Sequence, residues 1–152
     1  MTTGPDGRLY VGDGYYRLIY VLPISGGTSG TFSMSTTIAD ISSGSDGNIW
    51  VASGATIEKV TTAGTVTTYT PPTGVHAIKL VAGPDGAMWF VDDNPSAPKI
   101  GRITTGAGTV TMYTIPGTGV SYEVGGPTLG SDGGIWFGYR TSTGNYVGRL
   151  GY

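Results

Sequence analysis

This sequence predicts an all-β fold, a β-propeller of four partial, four-stranded blades, and three recurring patterns predict it. A Gly-x-Asp-Gly turn opens at Gly4, Gly44, Gly83 and Gly130, and a large aromatic residue follows six positions later each time, at Tyr10, Trp50, Trp89 and Trp136. A second element recurs as RLIY (17–20), IEKV (57–60), IGRI (100–103) and VGRL (147–150). A third follows in the first three units only, as GTFSM (30–34), GTVTTY (64–69) and GTVTMY (108–113). Self-similarity at a period of roughly 40 residues, with four short apolar segments per period, is the signature of propeller blades.

Each element follows from its own chemistry. The first strand of a blade is read at residues 37–41, 77–82 and 124–129, and in the first unit it is reduced to Met1-Thr2-Thr3. The Asp-Gly pairs at 6–7, 46–47, 85–86 and 132–133 lie between apolar segments, where both residues tolerate positive φ and close a tight hairpin. The second strands, around residues 9–11, 48–52, 87–91 and 134–138, carry short apolar runs such as IWV, MWF and IWF that suit a strand covered on both faces. Val66, Thr68, Val110 and Met112 alternate with Thr, the period of a half-buried strand, in the outermost element. No stretch has a helical period, so regular helix is expected to be at most a turn. The blades fall at about 1–36, 37–73, 74–117 and 118–152 of one repeat domain, and the fourth reaches Tyr152 before its outer strand.

Composition narrows the function classes. Eight basic and ten acidic residues in 152 leave no broad basic field for a nucleic-acid backbone or an anionic membrane. No apolar run approaches a membrane span, and the first residues lack the basic and apolar regions of a secretory signal. The absence of Cys removes disulfides, thiolate metal sites and a Cys nucleophile. Low charge with abundant Ser, Thr and Gly leans toward an extracellular, cell-surface or virion setting.

The string GPDGAMWF, then KIGRIT, then GTVTMYTIP resembles the blade repeat of virginiamycin B lyase-like propellers and, more loosely, NHL-type repeats. The resemblance covers nearly the whole chain and implies seven blades, whereas this chain writes four partial ones. It also implies a Mg²⁺-assisted elimination that opens a cyclic depsipeptide, using a His at the start of a blade and a Glu after a WFT-type strand. Val75-His76-Ala77-Ile78 matches the first segment, and Asp92, after Trp89-Phe90-Val91, falls in the second slot. Asp stands where the family has Glu, and the stretch from His76 to Asp92 is longer than the family's. His76 is the only His in the chain, and the slots for a second site are Ser53 and Tyr139, neither a strong base nor a hard-metal ligand.

Other candidates are weighed in the same way. Asp92, Asp93 and Asn94 offer oxygen ligands for Mg²⁺ or Ca²⁺, against the plainer role of capping a turn before Pro95. Asp6, Asp46, Asp85 and Asp132 are expected to form turns, and the Trp residues to pack between blades. Lys59, Arg102 and Arg149 share one strand position and are expected to make inter-blade hydrogen bonds or to lie at edges. Tyr15, Tyr16 and Tyr139 are read as loop aromatics suited to sugar stacking or a protein contact.

The missing strands leave a seam that something must cover. A four-bladed ring with an irregular seam, a piece of a longer propeller, and a protomer completed by its neighbour all meet that need. Two functions therefore stay open. One is a non-catalytic binding or assembly propeller, self-associating or meeting another protein at its blade edges and needing no cofactor. The other is a metal-dependent lyase with an eroded or intersubunit site.

Overall fold

A computed structural model describes residues 1–94, 97–117 and 126–151. The chain runs as antiparallel strands in four sheets. The first holds β1 (Thr2–Thr3), β2 (Arg8–Asp13), β3 (Leu18–Pro23) and β4 (Gly30–Ser33). The second holds β5 (Asp40–Ser43), β6 (Ile49–Ala52), β7 (Ile57–Val60) and β8 (Val66–Tyr69). The third holds β9 (Ala77–Ala82), β10 (Met88–Asp92), β11 (Lys99–Ile103) and β12 (Val110–Thr114). The fourth holds β13 (Thr128–Leu129), β14 (Ile135–Thr141) and β15 (Gly144–Leu150), three strands among the described residues. Within every sheet the strands pair in chain order, the meander of a propeller blade.

The Gly-x-Asp-Gly turns differ in one respect from the sequence expectation. Only the second Gly takes positive φ, between 75° and 78° at Gly7, Gly47, Gly86 and Gly133. Its amide donates to the carbonyl of the first Gly at 3.0–3.3 Å, while the Asp keeps an ordinary backbone and spends its side chain instead. The first Gly is needed for space. A Cβ at Gly83 would lie 2.4 Å from the Trp89 ring, and one at Gly44 2.6 Å from Trp50.

Strand β5 lies closer to its turn than residues 37–41. Pairing outward from the turn fixes Ser43 opposite Ile49 and Asp40 opposite Ala52, which leaves Thr36 and Ile38 in the connection between sheets. Residues 124 and 125 of the expected strand at 124–129 lie outside the described residues, and Thr128–Leu129 pairs with β14.

Three apolar clusters sit between consecutive sheets. Tyr10, Ile19 and Val21 of the first meet Ile41, Ile49, Val51 and Val60 of the second. Trp50 and Ile57 of the second meet Leu80, Met88, Phe90 and Ile103 of the third. Trp89, Val91 and Ile100 of the third meet Ile135 and Phe137 of the fourth. Strands β6 and β10 are therefore buried at every residue, whereas β14 is buried only at alternate positions along its first half. Among the described residues no cluster joins the fourth sheet to the first, so the sheets form an open array rather than a four-bladed ring.

Candidate functional site

The resemblance directs attention to the corner where the third sheet begins. His76 precedes β9, and its ring lies over Gly54, whose absent Cβ would fall 2.7 Å from His76 Nε2. Reciprocal backbone hydrogen bonds between Gly54 and Ala77, at 2.9 and 2.7 Å, tie this corner to the second sheet. Asp92 ends β10 at a register shift after Val91, which turns its carboxylate back toward the chain entering β9.

The two residues named by the resemblance are thus brought together, but not ring to carboxylate. Asp92 Oδ1 accepts the backbone amide of His76 at 2.9 Å and that of Asn94 at 3.2 Å. The imidazole pairs instead with Asp93, Nδ1 to Oδ1 at 2.5 Å. Asp92 is 2% exposed, while the His76 side chain is 58% exposed, so the carboxylate is inside and the ring faces water. Asn94 donates from Nδ2 to the Gly74 carbonyl at 2.9 Å, closing the turn. No group of three or more His, Cys, Asp or Glu side chains is placed to hold a metal among the described residues.

The slots equivalent to Asp92 in neighbouring blades have local duties. Ser53 Oγ donates to the Thr56 carbonyl at 3.0 Å and shares a contact of 2.8 Å with Thr56 Oγ1, bracing the β6–β7 turn. Tyr139 belongs to strand β14, not to a loop, and stacks on Tyr146 at a centroid distance of 5.5 Å. Tyr15 and Tyr16 lie in the β2–β3 connection, 85% and 66% exposed, edge to face with centroids 4.9 Å apart. Their amides both donate to Asp13 Oδ1 at 2.9 Å, which holds the pair outward. No ring contact joins this pair to Tyr139 among the described residues.

The four turn aspartates form a repeated polar unit. Tyr10 Oη donates to Asp6 at 2.8 Å, and the indole N–H groups of Trp50, Trp89 and Trp136 donate to Asp46, Asp85 and Asp132 at 3.0, 3.2 and 3.0 Å. Arg102 and Arg149 complete two of these units through Nε, at 2.6 and 2.7 Å, so both act within their own blade rather than between blades. Lys59 does cross, donating to the Thr105 carbonyl of the third sheet at 3.0 Å. Arg8 does both, pairing with Asp6 and reaching the Thr62 carbonyl at 3.0 Å.

Burial pushes the Asp85 carboxyl up, but donors from Arg102, Trp89 and the Ala87 amide outweigh it and hold the group below its ordinary value. Asp132 is also held well down, first by the Trp136 N–H and then by Arg149 and the Gly134 amide. The Tyr10 hydroxyl is pushed up to about 12, by burial first and then by its hydrogen bond to the Asp6 carboxylate.

One buried polar group escaped the sequence reading. Glu58 is fully buried in β7, and its two carboxylate oxygens accept the Ser35 and Thr36 hydroxyls at 2.9 and 3.2 Å. The available signal was a charged residue at a strand position where the other units have Tyr20, Gly101 and Gly148.

Four antiparallel sheets stacked through aromatic faces, with Asp-Gly turns at one end, define an array of β-propeller blades. The chain belongs to the Virginiamycin B lyase family, whose sequence profile matches residues 1–152. Virginiamycin B lyase from Staphylococcus aureus superposes with a TM-score of 0.74 at 24% identity, over 99% of this chain and 54% of that one. A catalytically inactive variant of the same enzyme, solved with quinupristin, gives 0.73 at 24% identity, with coverages of 99% and 54%. A streptogramin B lyase gives 0.72 at 26% identity, with coverages of 99% and 53%. The chain thus spans about half the length of these structures. No curated protein matches it significantly in sequence.

Proposed function

We propose that this chain is a non-catalytic member of its family, a propeller module that binds or assembles through its blade faces and loops. The observation that carries this reading is the use of Asp92. Its Oδ1 is committed to two backbone amides and the residue is only 2% exposed, so Asp92 braces the turn and leaves little of its carboxylate open to a substrate or ion. The donor set does not fit a Mg²⁺ site, because His76 and Asp93 are paired with each other and Ser53 and Tyr139 supply no further acid or imidazole. Tyr15 and Tyr16, turned outward on a hairpin, are the residues best placed to stack on a sugar or meet a protein partner.

The test is incubation of the 152-residue chain with quinupristin, with and without Mg²⁺, followed by chromatographic separation of cyclic from linear product. No linear product is expected. Metal-dependent ring opening that disappears in both His76→Ala and Asp92→Ala would establish the lyase reading instead. His76→Ala is the cleaner variant, since its side chain is 58% exposed and its loss is expected to leave the fold intact.

A further inference from the structure

The two ends of the array are complementary surfaces, and this deepens the assembly reading by naming the partner. Trp136 holds the register position of Tyr10, Trp50 and Trp89, and Val147 that of Ile19, Ile57 and Ile100. Those six are fully buried against the next sheet. Val147 is 72% exposed and Trp136 is only partly covered, because no sheet follows the fourth among the described residues.

At the other end, Leu9, Val11 and Leu22 hold the positions at which Ile49, Val51 and Val60 pack against the preceding blade. Leu9 and Val11 are partly exposed and Leu22 is 39% exposed. The fourth sheet thus presents the face that the first three sheets bury forward, and the first sheet presents the face that the later sheets bury backward.

We propose that a second copy of this chain docks head to tail, the first sheet of each copy covering the fourth sheet of the other. The interface repeats one that the chain already makes three times internally, and a net charge of −2 per copy opposes it only weakly. Head-to-tail contacts close when the rotation allows, and the closure proposed comes after two copies, with two identical seams and a two-fold axis.

Light scattering during size-exclusion chromatography of the 152-residue chain, at concentrations on the order of 100 μM, is expected to give twice the mass of the 15.6 kDa protomer. Val147→Asp and Leu22→Asp, both at exposed positions, should each give monomers with an unchanged circular dichroism spectrum. An equimolar mixture of the two should regain dimer, because one seam of the mixed pair carries both substitutions and the other carries neither. A monomeric parent chain overturns the proposal, as does a mixture that stays monomeric. Neither result touches the non-catalytic reading, which fails only if quinupristin is opened.

Discussion

The indole N–H of Trp89 lies 3.2 Å from Oδ1 of Asp85, across the turn that joins β9 to β10. The same carboxylate takes Arg102 Nε on its other oxygen at 2.6 Å, so strand β11 is tied to the turn through one side chain. The ring itself is fully buried and stacks on Tyr113 at a centroid distance of 5.3 Å.

Trp89→Ala is therefore expected to cost about 3–5 kcal/mol, the range for deleting a large buried aromatic. Trp89→Phe keeps most of the apolar body but loses the N–H to Asp85, and should cost about 1–2 kcal/mol. Urea midpoints measured for parent and variants check both, and an unshifted midpoint for Trp89→Ala would mean that the ring is not core.

Acid should destabilise the fold through the turn aspartates. Asp6, Asp85 and Asp132 are all held below the ordinary carboxylate value of 3.8, so in acid the unfolded chain binds more protons than the folded one. Their contribution is complete above that value and is lost as the pH falls below it. Asp85→Asn should lower stability at neutral pH and flatten the acid limb of a stability–pH curve. Tyr10 acts at the other extreme, where stability should fall between pH 10 and about 12 as the unfolded chain ionises first. Urea titrations across pH measure both limbs.

Gly101 in β11 faces the ring of Phe90, and a Cβ there would lie 2.1 Å from Cζ of that buried side chain. Gly101→Ala should cost about 1–3 kcal/mol through overpacking. Adding Phe90→Leu, which withdraws the ring, should make the double variant more stable than the sum of the two single effects. Thermal or urea unfolding of all three proteins reads the coupling.

Glu58→Ala leaves the Ser35 and Thr36 hydroxyls without their carboxylate partner, at an expected cost of about 1–3 kcal/mol. Glu58→Gln, which keeps an acceptor in place, should cost less. A double-mutant cycle with Ser35→Ala is expected to be non-additive, since both changes break the same contact.

Strand positions were legible because repetition supplied four readings of one element, and the aromatic six residues after each opening Gly located the second strand every time, although only β6 and β10 are buried throughout. Periodicity says which residue types recur but not which atoms meet. The Asp in each turn was read as a backbone device, whereas its carboxylate is the hub for Trp89 and Arg102. Arg102 was expected to make inter-blade hydrogen bonds or to lie at an edge, and it instead pairs with the turn aspartate of its own blade. His76 and Asp92, which the resemblance named, meet through the His76 backbone amide and not through the imidazole. Which group Asp92 grips depended on the shift after Val91, a backbone irregularity with no sequence signature. Glu58 was missed for a related reason, since its partners arrive from a connection whose path the strand pattern does not specify.

The open array also governs how the chain comes apart. Among the described residues the apolar clusters join each sheet only to its neighbours in sequence, so stability is expected to be a nearest-neighbour sum, with unfolding able to begin at either end of the array without disrupting the middle. The second and third sheets, each held from both sides, form the last cooperative unit to open, and amides in β6 and β10 should exchange with solvent most slowly. The first and fourth sheets are expected to fray first in an isolated chain. Covering the Trp136 face turns a fraying end into an interior one, so association and slow amide exchange in β14 would rise together with protein concentration.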